Sequence, residues 1–333
     1  MGFRHAVSKL LRRLTGSFDD PSIVQRLDRL QSQLERLEQG FSANSSVTQH
    51  LDRIQLQLSR LERMSHGGRA TYIGNNRILT KCVIADAVIG FLVDADDILL
   101  SPWLILSGMY ELDITNFFLS NLKPNSRCLD VGANFGFFTC LMARFCHQGK
   151  VVGVEPNHHV YELMRDNIYI NGLQEWASPK HAAISDLVGT LKLYRRIKRS
   201  GNTSIFDVPE ALLEALGEPR SEPFQVACLR IDDLLLEFDN RIDFIKIDVE
   251  GAEPLAMRGA QQTISANPHL NIIMEWSPAQ IQAAGFNIAE FVDDLAAMGL
   301  RSSEIKPDRV EEISLEGLKS LGYRAGILLT PSK

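Results

Sequence analysis

Carboxylates and glycines recur in this chain at spacings that would gather them into one crevice. Asp130-Val131-Gly132-Ala133-Asn134-Phe135-Gly136 follows a short apolar run and opens a helical one. Glycine at such a strand-to-helix turn lets backbone approach a bound ligand closely. Glu155 ends the next apolar run, about twenty residues on, where a carboxylate can take both hydroxyls of a ribose. Asp248, Glu250 and Glu275 stand at or just beyond the ends of two later apolar runs. Acids there face the crevice outside the carboxyl ends of the strands, the place where open α/β sheets bind ligands.

The first loop narrows the ligand. It lacks G-x-G-x-x-G, and its aspartate would repel a pyrophosphate. An acid at position 155 would also suit a dinucleotide fold, so it does not decide alone. A cationic nucleoside without phosphates fits the pair of acids better, and S-adenosylmethionine has that chemistry: a sulfonium, an ammonium and an adenosine ribose. Methyl transfer from a sulfonium is an in-line displacement that depends chiefly on alignment. A hydroxyl acceptor must also lose its proton, which favours a positioned acid–base group. Asp248, Glu250 and Glu275 are the candidates. Each has a competing role: Asp248 could bind a ligand ammonium, and Glu250 could cap the helix starting near Pro254. Trp276 could stack on a sugar ring, with core packing as its alternative. Asn202 and Thr203 belong to a basic, Gly-containing insertion over 195–204, placed where a lid over a substrate would sit. A plain surface loop is the competing reading. His158 and His159 open a helix, and His181 reads as a satisfied strand residue. No His/Asp/Glu grouping has metal-ligand spacing, so no metal is expected.

Alternating strands and helices must position these groups. Short strands over 77–83 and 87–93 and a helix over 110–122 lead in. Strands are expected over 128–131, 151–154, 181–184, 191–194, 244–247, 272–275 and 327–329. Helices are expected over 136–145, 160–170 and 254–266. Strands that read as continuous apolar runs, alternating with helices, predict a parallel sheet covered on both faces. Right-handed crossovers make it doubly wound.

The first 66 residues differ in kind. Ile23, Leu27, Leu30, Leu34, Leu37 and Phe41 repeat at alternating steps of four and three, as do Val47, Leu51, Ile54, Leu58 and Leu61. That is a coiled-coil seam, expected to mediate homo-oligomerisation or partner docking. Leu27-Asp28-Arg29-Leu30-Gln31 returns as Leu51-Asp52-Arg53-Ile54-Gln55, out of heptad phase. A continuous helix therefore needs a stammer, and a helical hairpin broken near Gly40 is the alternative. Phe3, Val7, Leu10, Leu11 and Leu14, flanked by Arg4, Lys9, Arg12 and Arg13, suit peripheral contact with an anionic membrane or packing on protein. The expected division is 1–66 for this segment and 70–333 for the catalytic domain.

Composition sets the outer limits. A chain of 333 residues, 45% hydrophobic and 23% charged, can bury a full core. A net charge of −6 argues against nucleic-acid binding, which needs a basic footprint. No run reaches the roughly 18 apolar residues of a bilayer span. Five scattered cysteines form no C-x-x-C pair and read as buried reduced thiols. With no secretory signal pattern at the start, a cytoplasmic location is expected.

Taken together, the motifs resemble the FkbM-type S-adenosylmethionine-dependent methyltransferases. The resemblance rests on the 130–136 loop, Glu155-Pro156-Asn157, Ala182-Ala183-Ile184-Ser185-Asp186 and Ile242-Asp243-Phe244-Ile245-Lys246-Ile247-Asp248-Val249-Glu250-Gly251-Ala252-Glu253. Gly108-Met109-Tyr110-Glu111 is similar to the family's opening segment, and the likeness spans about residues 72–330. It implies a class I methyltransferase (Rossmann-like) sheet of seven strands, the last antiparallel, with S-adenosylmethionine as cofactor. Asp130, Gly132, Asn134 and Gly136 would line the methionine and ribose side, Glu155 would grip the ribose, and Pro156 would also contact the cofactor. Ser185 or Asp186 would flank the adenine, Asp248 and Glu250 would sit beside the methyl, and Glu111 would close the methionine end. Phe135 and Phe137 are bulkier than the residues usual in the family, and the 195–204 insertion is not diagnostic of it. The expected activity is O-methylation of a hydroxyl, with a sugar of a glycan or glycolipid as leading acceptor. A polyketide, peptide or nitrogen acceptor, and a catalytically idle scaffold, are the alternatives; a dehydrogenase is remote.

Overall fold

The computed structural model describes residues 70–216 and 218–332. The coiled-coil seam and the basic amphipathic start lie outside the described residues. An antiparallel meander leads: β1 (Thr71–Gly74), β2 (Arg77–Ile84) and β3 (Ala87–Asp94). Its tight turns place Asn75-Asn76 and Ala85-Asp86 at positive φ, as two-residue hairpins require. Helices α1 (Leu100–Ser107) and α2 (Leu112–Asn121) follow. Then come β4 (Arg127–Val131), α3 (Phe137–Phe145), β5 (Lys150–Glu155), α4 (His158–Ile170) and β6 (Ala177–His181). A separate antiparallel unit comprises β7 (Ala183–Ile184), β8 (Gly189–Arg196), β9 (Arg199–Ser204), α5 (Glu210–Ala215) and β10 (Glu222–Leu229). Alternation resumes with α6 (Ile231–Leu234), β11 (Phe244–Ile247), α7 (Glu253–Arg258), α8 (Gln261–Ala266), β12 (Asn271–Trp276), α9 (Pro278–Ala283) and α10 (Ile288–Ala297). β13 (Leu300–Ile305), β14 (Val310–Ile313), α11 (Leu315–Leu318) and β15 (Arg324–Pro331) complete the described chain.

The main sheet runs β14-β13-β15-β12-β11-β4-β5-β6. β6, β5, β4, β11 and β12 are mutually parallel, and β15 is antiparallel to both neighbours, as expected of the last strand. The expected count of seven is corrected to eight. The extra strand, β14, is a short edge piece that folds back on β13 and carries three glutamate or isoleucine side chains after Val310. β4 and β11 read as apolar because both their faces are covered. One face packs Phe118, Phe138, Met142 and Leu163; the other packs Ile231, Phe238, Met257, Trp276 and Phe291.

Three other sequence expectations change in detail. The strand anticipated over 181–184 is divided: β6 belongs to the main sheet, and β7 pairs with β10. The helix anticipated over 254–266 breaks at Gly259, where a Cβ would collide with the Ser185 carbonyl. The 195–204 insertion is not an irregular loop; it forms the β8–β9 hairpin. Among the described residues no helix is long and apolar enough to cross a membrane, and all five cysteines are buried and unpaired in disulfides.

Candidate active site

Strand order reverses between β4 and β11: the chain leaves β4 toward β5 and β6, then returns to β11 on the opposite side. The connections leaving β4 and β11 therefore diverge, and a cavity of about 400 Å³ opens at the carboxyl ends of these strands. That volume lies within the usual range for small-ligand sites.

The β4–α3 turn builds its floor. Gly132 and Ala133 both donate backbone N–H bonds to the Val154 carbonyl at 3.0 Å. Gly132 has φ +77°, and a Cβ there would run into the Asp248 carbonyl oxygen. Glu155 is 4% exposed and held by two backbone donors: Asn134 N–H at 2.8 Å and Asn157 N–H at 2.7 Å. Burial pushes its pKa up to about 7, against the opposing pull of those two bonds. Phe135 and Phe137 spend their bulk beneath the turn, where both pack against the ring of Phe91.

Three acids gather around one cation. Asp130 accepts from the Thr139 hydroxyl at 2.6 Å through Oδ2, while its buried Oδ1 has no partner. Lys246 stands beside Asp130 in strand register, 4% exposed. Its Nζ lies 2.8 Å from Asp248 Oδ2, 3.9 Å from Glu111 Oε2 and 4.8 Å from the centre of the Phe138 ring. Burial works hardest against this ammonium, yet Asp248, Glu111 and Asp130 together hold its pKa above the ordinary lysine value. Glu111 is pushed up to about 7, by burial first and with Lys246 opposing.

On the other side, Asn202 Nδ2 donates to Glu250 Oε2 at 3.2 Å, and the Gln280 amide donates to the same oxygen. Burial, then Asp248 and Glu253, raises the Glu250 pKa. Glu275 is pushed up to about 10, by burial first and then by the charges of Asp248, Glu250 and Glu253. Its Oε2 is buried without a partner. Glu250 does not cap α7, whose N-cap is Ala252 with no side-chain cap; Glu253, the first residue of α7, accepts from the Val249 and Gly251 N–H groups of the preceding turn.

The β8–β9 hairpin forms the roof, bringing Gly201, Asn202 and Thr203 to the cavity. Thr203 Oγ1 accepts from Asn157 Nδ2 at 3.2 Å. Buried Asp97 accepts from the Leu99 and Leu100 N–H groups through Oδ1 and from the Ser200 N–H through Oδ2. Glu111, Asn134 and Glu250 have φ of +40°, +50° and +54°. Left-handed backbone at three non-glycine cavity residues is strain that the surrounding structure must hold.

Glu111, Asp130, Gly132, Asn134, Glu155, Pro156, Asn202, Thr203, Asp248, Glu250 and Glu275 all line the cavity. Four others do not. Gly136 precedes α3 and packs on Met164. Ser185 is buried, bonded to Asp186 and to the Leu229 carbonyl, and Ala182, Ala183 and Ile184 line the cavity instead of that pair. Trp276 is fully buried, stacked on Phe291 at 5.8 Å, so it is a core residue and no acceptor contact. Sequence reasoning assigned no role to Lys246, Tyr110, Gln280, Arg199 or Tyr323, all of which line the cavity. A charged residue inside the buried run Phe244-Ile245-Lys246-Ile247 is itself a signal; Tyr110 adjoins Glu111 and Arg199 belongs to the 195–204 insertion, whereas Gln280 and Tyr323 come from segments with no signal.

Two relatives match in sequence. Methyltransferase sdnD of Sordaria araneosa is 27% identical over 187 residues, covering 49% of this chain and 71% of that protein. Methyltransferase 1 of Beauveria bassiana is 28% identical over 148 residues, covering 40% of this chain and 58% of that one. The crystal structure of an FkbM methyltransferase from Methylobacillus flagellatus aligns over 68% of this chain and 52% of its own, with 13% identity and a TM-score of 0.40. The model of the methyltransferase FkbM domain matches residues 130–303, more than half of the chain and nearly all of the cavity-bearing strands described above. The chain belongs to the FkbM family of methyltransferases.

Proposed function

We propose that the chain is an S-adenosylmethionine-dependent O-methyltransferase whose acceptor is a hydroxyl on a sugar of a glycan or glycolipid. The observation that carries the cofactor is the charge of the cavity: Glu111, Asp130, Glu155, Asp248, Glu250 and Glu275 line it against Lys246 and Arg199. A positively charged nucleoside relieves that excess, and an anionic dinucleotide aggravates it. The residues fit the group in a further way: buried Asp130 Oδ1 and Glu111 Oε2 lack donors.

Glu155 would hold the ribose hydroxyls, Ala182–Ile184 and Pro156 the adenine, and Glu111 with Asp130 the amino-acid end. When bound, S-adenosylmethionine supplies an activated methyl on a sulfonium, so the protein's work is alignment and proton removal. Glu250 or Glu275 takes the acceptor proton. Asp248 is set aside for that role, because the Lys246 ammonium occupies its Oδ2. A nearby cation favours the ionised form of each acid, so cofactor loading prepares the base.

The sugar reading is supported by the hydrogen-bonding character of the acceptor side, where Asn202, Thr203, Ser277, Gln280 and Tyr323 face the cavity. Five buried thiols fit a reducing, cytoplasmic setting. Calorimetric titration with S-adenosylmethionine, S-adenosylhomocysteine and NAD tests the cofactor: the first two should bind, and binding of NAD alone overturns the proposal. Mass spectrometry of glycans from cells with and without the protein tests the acceptor, which should differ by one methyl group per modified sugar.

A further inference from the structure

Lys246 sits in an arrangement of unmet hydrogen-bonding groups that a simple counter-ion would not leave. An ammonium carries three N–H donors, and Asp248 Oδ2, at 2.8 Å, is the hydrogen-bond acceptor found for it among the described residues. Glu111 Oε2 is 3.9 Å away, beyond hydrogen-bond reach. Phe138 covers the ammonium from one side at 4.8 Å. Spare donors on Lys246 therefore lie beside two buried spare acceptors, Glu111 Oε2 and Asp130 Oδ1. These groups are neighbours, yet they do not satisfy one another. Leaving buried polar atoms unpaired is costly, and Glu111 is additionally held at φ +40°.

A ligand group that meets all of them must present an anion and a cation a few bonds apart. An α-amino carboxylate does so. We propose that Lys246 is a binding residue for the α-carboxylate of the cofactor's methionine moiety, with Glu111 and Asp130 receiving its α-ammonium. The assignment rests on S-adenosylmethionine being the cofactor. Asp248 is then the strap that fixes the Lys246 ammonium by one donor and leaves the others facing the cavity. The three carboxylates keep the lysine charged in its buried position, and the lysine in turn stops them from repelling the ligand's carboxylate.

The sign of one substitution separates this role from that of a counter-ion. Lys246→Met removes a charge-assisted bond to a carboxylate, and S-adenosylhomocysteine should bind about 10- to 100-fold more weakly. 5′-Methylthioadenosine, which has neither amino nor carboxyl group, should bind within about twofold of wild type. Lys246→Arg, keeping charge and donors, should recover part of the loss. If Lys246 only neutralised its neighbours, its removal would leave a more negative cavity, and S-adenosylhomocysteine, with its ammonium, would bind as well or better. That result, or equal weakening of both ligands, overturns the proposal. If Lys246→Met does not fold, wild-type titration with decarboxylated S-adenosylhomocysteine decides: affinity equal to that of the parent compound overturns it. Failure of wild type to bind any of these nucleosides removes the cofactor reading itself, and the clamp with it.

Discussion

Asp97 receives the Ser200 backbone N–H at 2.7 Å, joining the roof hairpin to the start of α1 across more than a hundred residues of chain. The same carboxylate caps the N–H groups of Leu99 and Leu100. Asp97→Ala removes both functions. We expect a stability loss of about 2 kcal/mol, typical for a buried multi-acceptor cap. Amide exchange over 198–204 should accelerate, and kcat/KM should fall while affinity for S-adenosylhomocysteine changes little. Unchanged exchange in that segment would show that the hairpin holds its place without Asp97.

At Gly132 a methyl group has no room. The Asp248 carbonyl occupies the space, and φ of +77° strains any other residue. Gly132→Ala should cost about 2–4 kcal/mol and abolish cofactor binding by parting β4 from β11. Differential scanning calorimetry reads the first effect and titration the second. A variant with wild-type melting temperature would mean that the two strand ends separate easily.

Glu155→Ala should weaken S-adenosylhomocysteine binding by about 10- to 100-fold, the loss of hydrogen bonds from hydroxyls to a charged group. It also strands the Asn134 and Asn157 N–H groups that the carboxylate now receives, so a fall in melting temperature accompanies it. Affinity equal to wild type contradicts the ribose assignment.

Cofactor affinity should rise with pH between about 6 and 8. In the free protein burial holds Glu111 and Glu155 near pKa 7 and Glu275 near 10. A bound cation lowers these values, so binding releases protons and is favoured where fewer are bound. Stability of the unliganded protein follows the opposite course. These acids have folded pKa values above the unfolded ones, so their contribution is full below about pH 4.5 and fades as pH rises through 7 and beyond. Titrations in buffers of different ionisation enthalpy measure proton release directly; zero release removes the coupling.

The parallel strands were legible because covering a sheet on both faces leaves an unbroken apolar run, as in Cys128-Leu129 and Phe244-Ile245. The residues at their ends were legible for the same reason: Asp130, Glu155 and Asp248 interrupt that pattern at the crevice. The roof was not. Arg195 to Ser204 lacks alternation because, apart from the exposed tip at Ile197 and Lys198 and the buried Ser204, its side chains are half-buried on both sides, paired with Glu218 and Glu222 or turned to the cavity. Trp276 was open to both a sugar contact and core packing because a strand-end aromatic looks the same in sequence whether it faces a ligand or Phe291, and the core reading is the one that holds. Gln280 and Tyr323 reach the cavity from α9 and the approach to β15, and only the sheet order makes those segments neighbours of Glu250 and Glu275.

Ser200 on Asp97, Asn202 on Glu250 and Thr203 on Asn157 pin one strand to three different walls. At about 1 kcal/mol apiece, simultaneous release is expected in fewer than about one molecule in a hundred at any instant. Passage of a bulky guest is thereby rationed by the frequency of that event, so turnover of large acceptors should depend on solvent viscosity and temperature more steeply than the displacement itself requires.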